Sequence, residues 1–174
     1  MTDRVKTYVK VSVACVILGA AAVLGVTRLH SVVATGEEGA KTYFYDLSER
    51  KLYAAPRYTI PPDTGIGGES GGGVRAVVIA WRNDAEKRRI AYLETYTPEL
   101  AKVLRDVQAA RASGRKYEGK APAGDSPFVL KNTLVRREGE SEWHDMTTAE
   151  GRTIVSEWQS ESGPDGSPPV VCVP

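Results

Sequence analysis

The chain has 174 residues, 41% of them apolar and 26% charged, with 23 Lys and Arg against 22 Asp and Glu for a formal net charge of +1. That length accommodates one folded domain plus a tail or an anchor, at roughly 100–200 residues per domain, and the apolar share excludes a wholly disordered chain. A charge so near zero, without a basic stripe, excludes the usual electrostatic footprint of a nucleic-acid binder, so no nucleic-acid partner is expected.

The first element is the uncharged run from Val11 to Thr27, bounded by Lys10 and Arg28. As a helix it spans roughly 26 Å, and the long side chains of Lys10 and Arg28 reach the rest of a hydrocarbon layer about 30 Å thick. A core helix of that length would carry a polar face, so the pattern predicts a transmembrane helix over 11–27. Arg4, Lys6 and Lys10 precede it and only Arg28 follows closely. The positive-inside rule therefore leaves residues 1–10 in the cytoplasm and exports the rest to the periplasmic or other extracytoplasmic side of the inner membrane. Val32-Val33-Ala34 offers small residues for a signal-peptidase cut before Thr35, the alternative to a retained anchor. Against the cut, the apolar run exceeds the usual 7–15 residues or so of a signal core, and Arg28 and His30 lie between run and site. Beyond residue 35 the chain holds 19 basic and 21 acidic groups, a net charge of about −2. Cys15 lies in the apolar run and Cys172 far along the chain, so no internal disulfide is expected and Cys172 is either free or able to link two chains.

Residues 28–41, small and polar from Val32 to Lys41, read as a linker, and residues 42–159 as an exported α+β domain. Thr42 to Leu47 and Lys51 to Ala55 flank the turn Ser48-Glu49-Arg50 and predict a hairpin. Pro56 to Gly73 is a proline- and glycine-rich loop. The almost continuously apolar Val74 to Trp81 predicts a strand buried on both faces, paired through the turn Asn83 to Lys87 with Arg89 to Tyr96. Thr97 as N-cap, Pro98 at the first helical position and Gly114 beyond the end frame a helix with Leu100, Val103, Leu104, Val107 and Ala110 on one stripe. A strand follows around Phe128 to Arg136, then a short strand near Trp143. Thr147-Thr148-Ala149-Glu150 reads as a capping box opening a second helix that turns Ile154 and Trp158 inward. Residues 160–174, rich in Ser, Gly and Pro, read as a flexible tail. The expected fold is thus an antiparallel sheet of about five or six strands packed with two helices, behind a transmembrane helix.

No catalytic, cofactor-binding or metal-binding residues are assigned. Gly68-Glu69-Ser70-Gly71-Gly72 matches a nucleophile-elbow pattern, but no strand leads into Ser70 and no helix leaves it. A Ser70 and His144 hydrolase remains the enzymatic alternative. Two histidines and two distant cysteines do not provide zinc-ligand spacing. Trp143-His144-Asp145 reads as a polar turn, with an imidazole oriented by a carboxylate as the sharper alternative. Asp84 to Arg89 reads as a solvated hairpin turn whose basic half could meet lipid headgroups. Tyr43, Tyr45, Tyr53, Tyr58, Tyr92 and Tyr96 crowd the first half, as sheets favour, and an exposed tyrosine face would suit a partner.

The segments Tyr43-Phe44-Tyr45-Asp46-Leu47, Lys51-Leu52-Tyr53, Ile60-Pro61-Pro62, Gly73-Val74-Arg75-Ala76 and Tyr92-Leu93-Glu94-Thr95-Tyr96-Thr97-Pro98 together resemble a set of uncharacterised one-span exported proteins of planctomycete-type bacteria, over roughly residues 40 to 100. Proteins of that set often place cysteines in the turn after the central strand, where this chain has Trp81-Arg82-Asn83-Asp84. The resemblance implies an anchored exported domain and no activity.

The expectation is therefore a non-enzymatic accessory or interaction domain. It meets the membrane through 11–27 and a protein partner through the 56–73 loop or the tyrosine-rich sheet. A pilin-like filament subunit is a further alternative, disfavoured because Arg4, Lys6 and Lys10 precede the apolar helix without a processing junction. The topology is checked by adding protease to intact spheroplasts. The 42–158 region should be cut without detergent, and protection until detergent is added would reverse the orientation.

Overall fold

The computed structural model describes residues 39–81, 84–163 and 165–174. The expected cytoplasmic segment 1–10, the transmembrane helix 11–27 and most of the linker 28–41 lie outside the described residues. Among the described residues no helix is long and apolar enough to cross a membrane.

The first hairpin forms from β1 (Lys41–Asp46) and β2 (Lys51–Pro56) in full antiparallel register, with Arg50 taking the left-handed φ of 52° that closes the turn. β1 pairs on its other side with β3 (Gly73–Trp81), a strand with eight of nine residues buried, as its apolar run predicts. β3 continues into β4 (Asp84–Tyr96), which starts earlier than expected, so that Asp84 to Lys87 belong to the strand rather than to a free turn. Their register shifts between Val77 and Val78, where Tyr92 and Ile90 are the partners and Ala91 is the extra residue of a bulge. The helix α1 (Pro98–Ala112) begins as the sequence predicts, with Thr97 accepting the Leu100 N–H and Gly114 beyond its end at φ 67°.

Three sequence expectations are corrected after α1. The segment expected as one strand from Phe128 to Arg136 is a short helix, α2 (Pro127–Lys131), followed by β5 (Thr133–Arg136). Ser126 accepts the Val129 N–H and Pro127 occupies the first helical turn, the same start signal as Thr97-Pro98, and it overrides the apolar strand-like composition. After β6 (His144–Asp145), the helix α3 (Ala149–Glu157) is capped by Thr148, whose hydroxyl accepts the Gly151 N–H, so Thr147 and Glu150 form no capping box. Thr147 instead donates from its N–H and its hydroxyl to the Asp145 carboxylate. Residues 160–174 are not a loose tail: after a 3-10 turn (Trp158–Ser160), β7 (Pro169–Val171) pairs antiparallel with β3. Pairing across the fold, invisible to local composition, orders it.

The result is an α+β domain with a seven-stranded sheet ordered β2-β1-β3-β4-β5-β6, β7 lying beside β3 off this path. One row of partners crosses six strands: Tyr53, Phe44, Arg75, Glu94, Val135 and His144. The neighbouring positions face the other way, and there Tyr43, Tyr45, Val74, Ala76, Val78 and Leu93 form a buried cluster with Leu52, Ile90, Trp143 and Cys172 packed around it. Arg88 extends over the Tyr43 ring, and Arg136 lies 4.5 Å from the ring centre of Trp143. Tyr92 is fully buried and Tyr43 and Tyr45 nearly so, whereas Tyr58 is exposed. Tyr43 and Tyr45 thus sit in the buried cluster and Tyr92 is buried on the opposite face, so the exposed tyrosine face raised as an alternative does not form from these three.

Within the row, the buried Arg75 meets Glu94 at 2.9 Å and also donates to the Tyr96 hydroxyl at 3.0 Å and, at 3.4 Å, to the Thr59 carbonyl. Burial, then the charge of Glu94, raises the Tyr92 phenol above its ordinary range. Burial likewise pushes Tyr96 up to about 12. Both therefore stay neutral beside the ion pair at physiological pH. Breaking a buried pair leaves its other charge uncompensated, whereas replacing both members by apolar groups can be neutral. Glu94→Ala should lower unfolding free energy by about 3 kcal/mol, read from the urea midpoint. The double variant Arg75→Met/Glu94→Leu should recover most of that loss.

Candidate interaction loop

The Pro56 to Gly73 loop is long for a segment without its own strands or helices, and its structure follows from one side chain at the end of β1. Asp46 is fully buried. One carboxylate oxygen accepts the Ser48 N–H at 2.9 Å, the Ser48 hydroxyl at 2.7 Å and the Glu49 N–H at 2.9 Å, while the other accepts the Gly67 N–H at 2.9 Å. The hairpin turn and the distant loop are thereby pinned to one anion. Hydrogen bonds from the Glu49 N–H, the Gly67 N–H and Ser48 hold this carboxyl far below the usual carboxylate range, outweighing burial, which acts the other way.

The glycines are there because the chain passes so close. A Cβ on Gly65 would stand 2.2 Å from the Asp46 carboxylate oxygen, and one on Gly73 would stand 2.5 Å from the Tyr53 hydroxyl. Asp63 and Gly73 exchange both backbone hydrogen bonds, at 2.8 and 2.9 Å, and close a stem beneath residues 64–72. Inside it the Glu69 carbonyl accepts from both Gly65 and Gly72, while Gly68 and Gly71 turn the chain at φ 82° and 81°. The first half of the loop is held from the side. Arg105 of α1 donates to the Pro62 carbonyl at 2.7 Å and Gln108 to the Tyr58 carbonyl at 3.3 Å, and Arg75 reaches Thr59. Pro61 is fully buried. The loop is therefore fixed along its length, yet it presents two large apolar side chains to solvent, Tyr58 at 59% and Ile66 at 50% exposure.

Ser70 sits exposed on this loop, ahead of β3, whereas His144 lies on β6. β6 is three strand spacings from β3, roughly 14 Å across the sheet, so the sheet does not bring this serine and this imidazole together. The Asp145 carboxylate is engaged by Thr147, not by the neighbouring imidazole. Among the described residues no three His, Cys, Asp or Glu side chains gather as metal ligands do. Cys172 is free and half-buried against the tyrosine layer. Asp46, which organises the loop, was not singled out by sequence. The signal that could have found it is an Asp closing a strand two residues before Ser48, the pattern of an Asx turn.

No family model matches the chain, and no curated protein and no solved structure proves similar to it.

Because the folded Asp46 titrates below its unfolded value of about 3.9, its stabilising contribution is complete above about pH 4 and is lost as pH falls toward the folded value. Asp46→Asn should therefore lower the melting temperature at pH 7. It should also make the further decline between about pH 4 and pH 2 shallower than in the parent. Thermal melts across that range check both, and parallel acid limbs would show that the carboxylate does not anchor the loop.

Proposed function

We propose that the chain is a membrane-anchored, exported accessory or interaction domain without catalytic activity, a small subunit of an envelope or membrane complex. Residues 11–27 are its single-pass anchor, with the N-terminus inside and the domain on the periplasmic or other extracytoplasmic side. The resemblance to one-span exported proteins supports this topology. The observation that carries the interaction reading is the 56–73 loop, which is pinned by Asp46, Arg75, Arg105 and Gln108 while Tyr58 and Ile66 stand in solvent. A free loop loses conformational entropy when it binds, and a preordered one avoids much of that cost. Exposed aromatic and aliphatic anchors on a rigid frame are what an apolar pocket on a partner recognises.

The test is recovery of a partner from solubilised membranes with the full chain as bait. A protein retained by the parent should be lost, by about tenfold for about 1.4 kcal/mol, with Ile66→Ala or Tyr58→Ala. Both positions are exposed, so the melting temperature should stay within a degree or two. Undiminished recovery with both variants would remove the loop from the interface. Labelling of Ser70 by a fluorophosphonate probe would replace this reading with the hydrolase alternative.

A further inference from the structure

β3 is bordered on one side by two separate strands. β1 pairs with it only from Gly73 to Arg75, and β7 takes over at Ile79 to Trp81. The Cys172 N–H bonds the Val78 carbonyl at 2.8 Å, which makes Val78–Cys172 and, two residues on, Ala80–Val170 the hydrogen-bonded pairs of the ladder. Side chains add little to this contact. Pro169 is buried and Cys172 partly so, but Val170, Val171 and Val173 are 42%, 47% and 75% exposed. The strand is held chiefly by main-chain bonds, and these are the same whichever copy of the chain supplies it.

The connection that delivers β7 is Glu161 to Pro168, with Gly163, Pro164, Gly166 and Pro168 among its eight residues. Pro168 and Pro169 bias the residues before them toward extended backbone. At about 3.1 Å per residue, such a stretch reaches roughly 25 Å when drawn out, enough to cross to a neighbouring domain. What folds it back is a close approach of Gly163 to the Trp81 ring and a few polar contacts. Gly163 and Ser167 close a turn, Asp165 accepts from Ser167, and Arg89 pairs with Glu161. These exposed polar contacts are each worth at most about 1 kcal/mol. A proline-rich hinge, a short strand with few buried side chains and a stretch of the central strand that β1 does not cover are the ingredients of strand exchange.

We propose that β7 is an exchangeable strand: the edge of β3 from Val78 to Trp81 accepts the C-terminal strand of a second copy of this chain in place of its own. Two copies exchanging reciprocally form a symmetric dimer in which each sheet is completed by the other chain. This does not depend on the loop reading, since it uses the opposite end of β3.

The full chain with Cys15→Ser, Cys172→Ser, Ala80→Cys and Val170→Cys tests this directly. The two introduced thiols sit at paired positions, about 5.5 Å apart at Cα, within disulfide reach. After folding at increasing protein concentration and oxidation with oxidised glutathione, a non-reducing denaturing gel reads which chain supplied the strand. A covalent dimer whose share grows with concentration, and falls severalfold when Pro164 and Pro168 are both changed to Gly, is expected. Monomer alone at every concentration would overturn the proposal. So would a dimer formed equally by Val170→Cys without Ala80→Cys, which reports contact between two closed copies. Two differently tagged full chains carrying native residues, refolded together, provide a measurement free of the buried Ala80 change. They should co-purify and should cease to do so with Val170→Pro, which removes the N–H bonded to β3. Co-purification that survives Val170→Pro would place the contact elsewhere.

Discussion

The carboxylate of Asp46 decides how the chain leaves its first hairpin and how it approaches its central strand. Three main-chain N–H groups and one hydroxyl converge on it, and a buried anion is tolerable only when its lone pairs are so occupied. The requirement runs in both directions. Without the carboxylate, the Ser48, Glu49 and Gly67 donors would need other acceptors; without glycine at 65, the loop could not come near enough to supply its share. The glycine-rich segment that resembles a catalytic element in composition is therefore the complement of a charge. Its φ-positive positions, Gly68 and Gly71, serve the turns that bring Gly67 back to Asp46.

Arg75 extends the same logic to the other half of the loop. It stands two residues into β3 and couples the strand opposite, through Glu94 and Tyr96, to the loop, through the Thr59 carbonyl. A buried ion pair is weak evidence for net stability, because desolvation offsets most of the Coulomb gain. What it does supply is geometry. An apolar residue at position 75 could pack as well but would leave the Thr59 carbonyl without that donor. The first half of the loop would then be held from the side by Arg105 and Gln108 of α1, both exposed. Order in the loop is thus tied to register in the sheet.

Where a signal was local, the sequence was legible. The hairpin at Ser48 to Arg50, the buried run of β3 and the helix opened by Thr97-Pro98 each depend on residues within a few positions of one another. The structure has them within one or two residues of expectation. The failures have separate causes. The Ser126-Pro127 start is as local as Thr97-Pro98, yet the apolar string behind it reads as strand, and α2 runs only five residues before β5 begins. The tyrosines read as sheet residues with an exposed face as the alternative, because alternation does not say which face of a sheet is covered, and Tyr43, Tyr45 and Tyr92 are interior. Asp46 and Arg75 were passed over because their partners at Gly67, Glu94 and Thr59 lie 21, 19 and 16 residues away.

The ordering of the C-terminal segment belongs to the same class of long-range effect, and it has a physical motive. β1 covers only the first three residues of β3 before diverging, so the rest of that side would present unpaired main-chain groups of a strand made of Val77, Val78, Ile79, Ala80 and Trp81. An apolar central-strand edge of that kind templates aggregation. β7 closes it with three residues, and the prolines at 168, 169 and 174 limit how far the new edge can propagate. The cover had to be short, because a longer apolar strand would recreate outside the hazard it removes. A composition of Ser, Gly and Pro with a few valines, which locally reads as disorder, is what a short and self-limiting edge strand on a hinged connection requires.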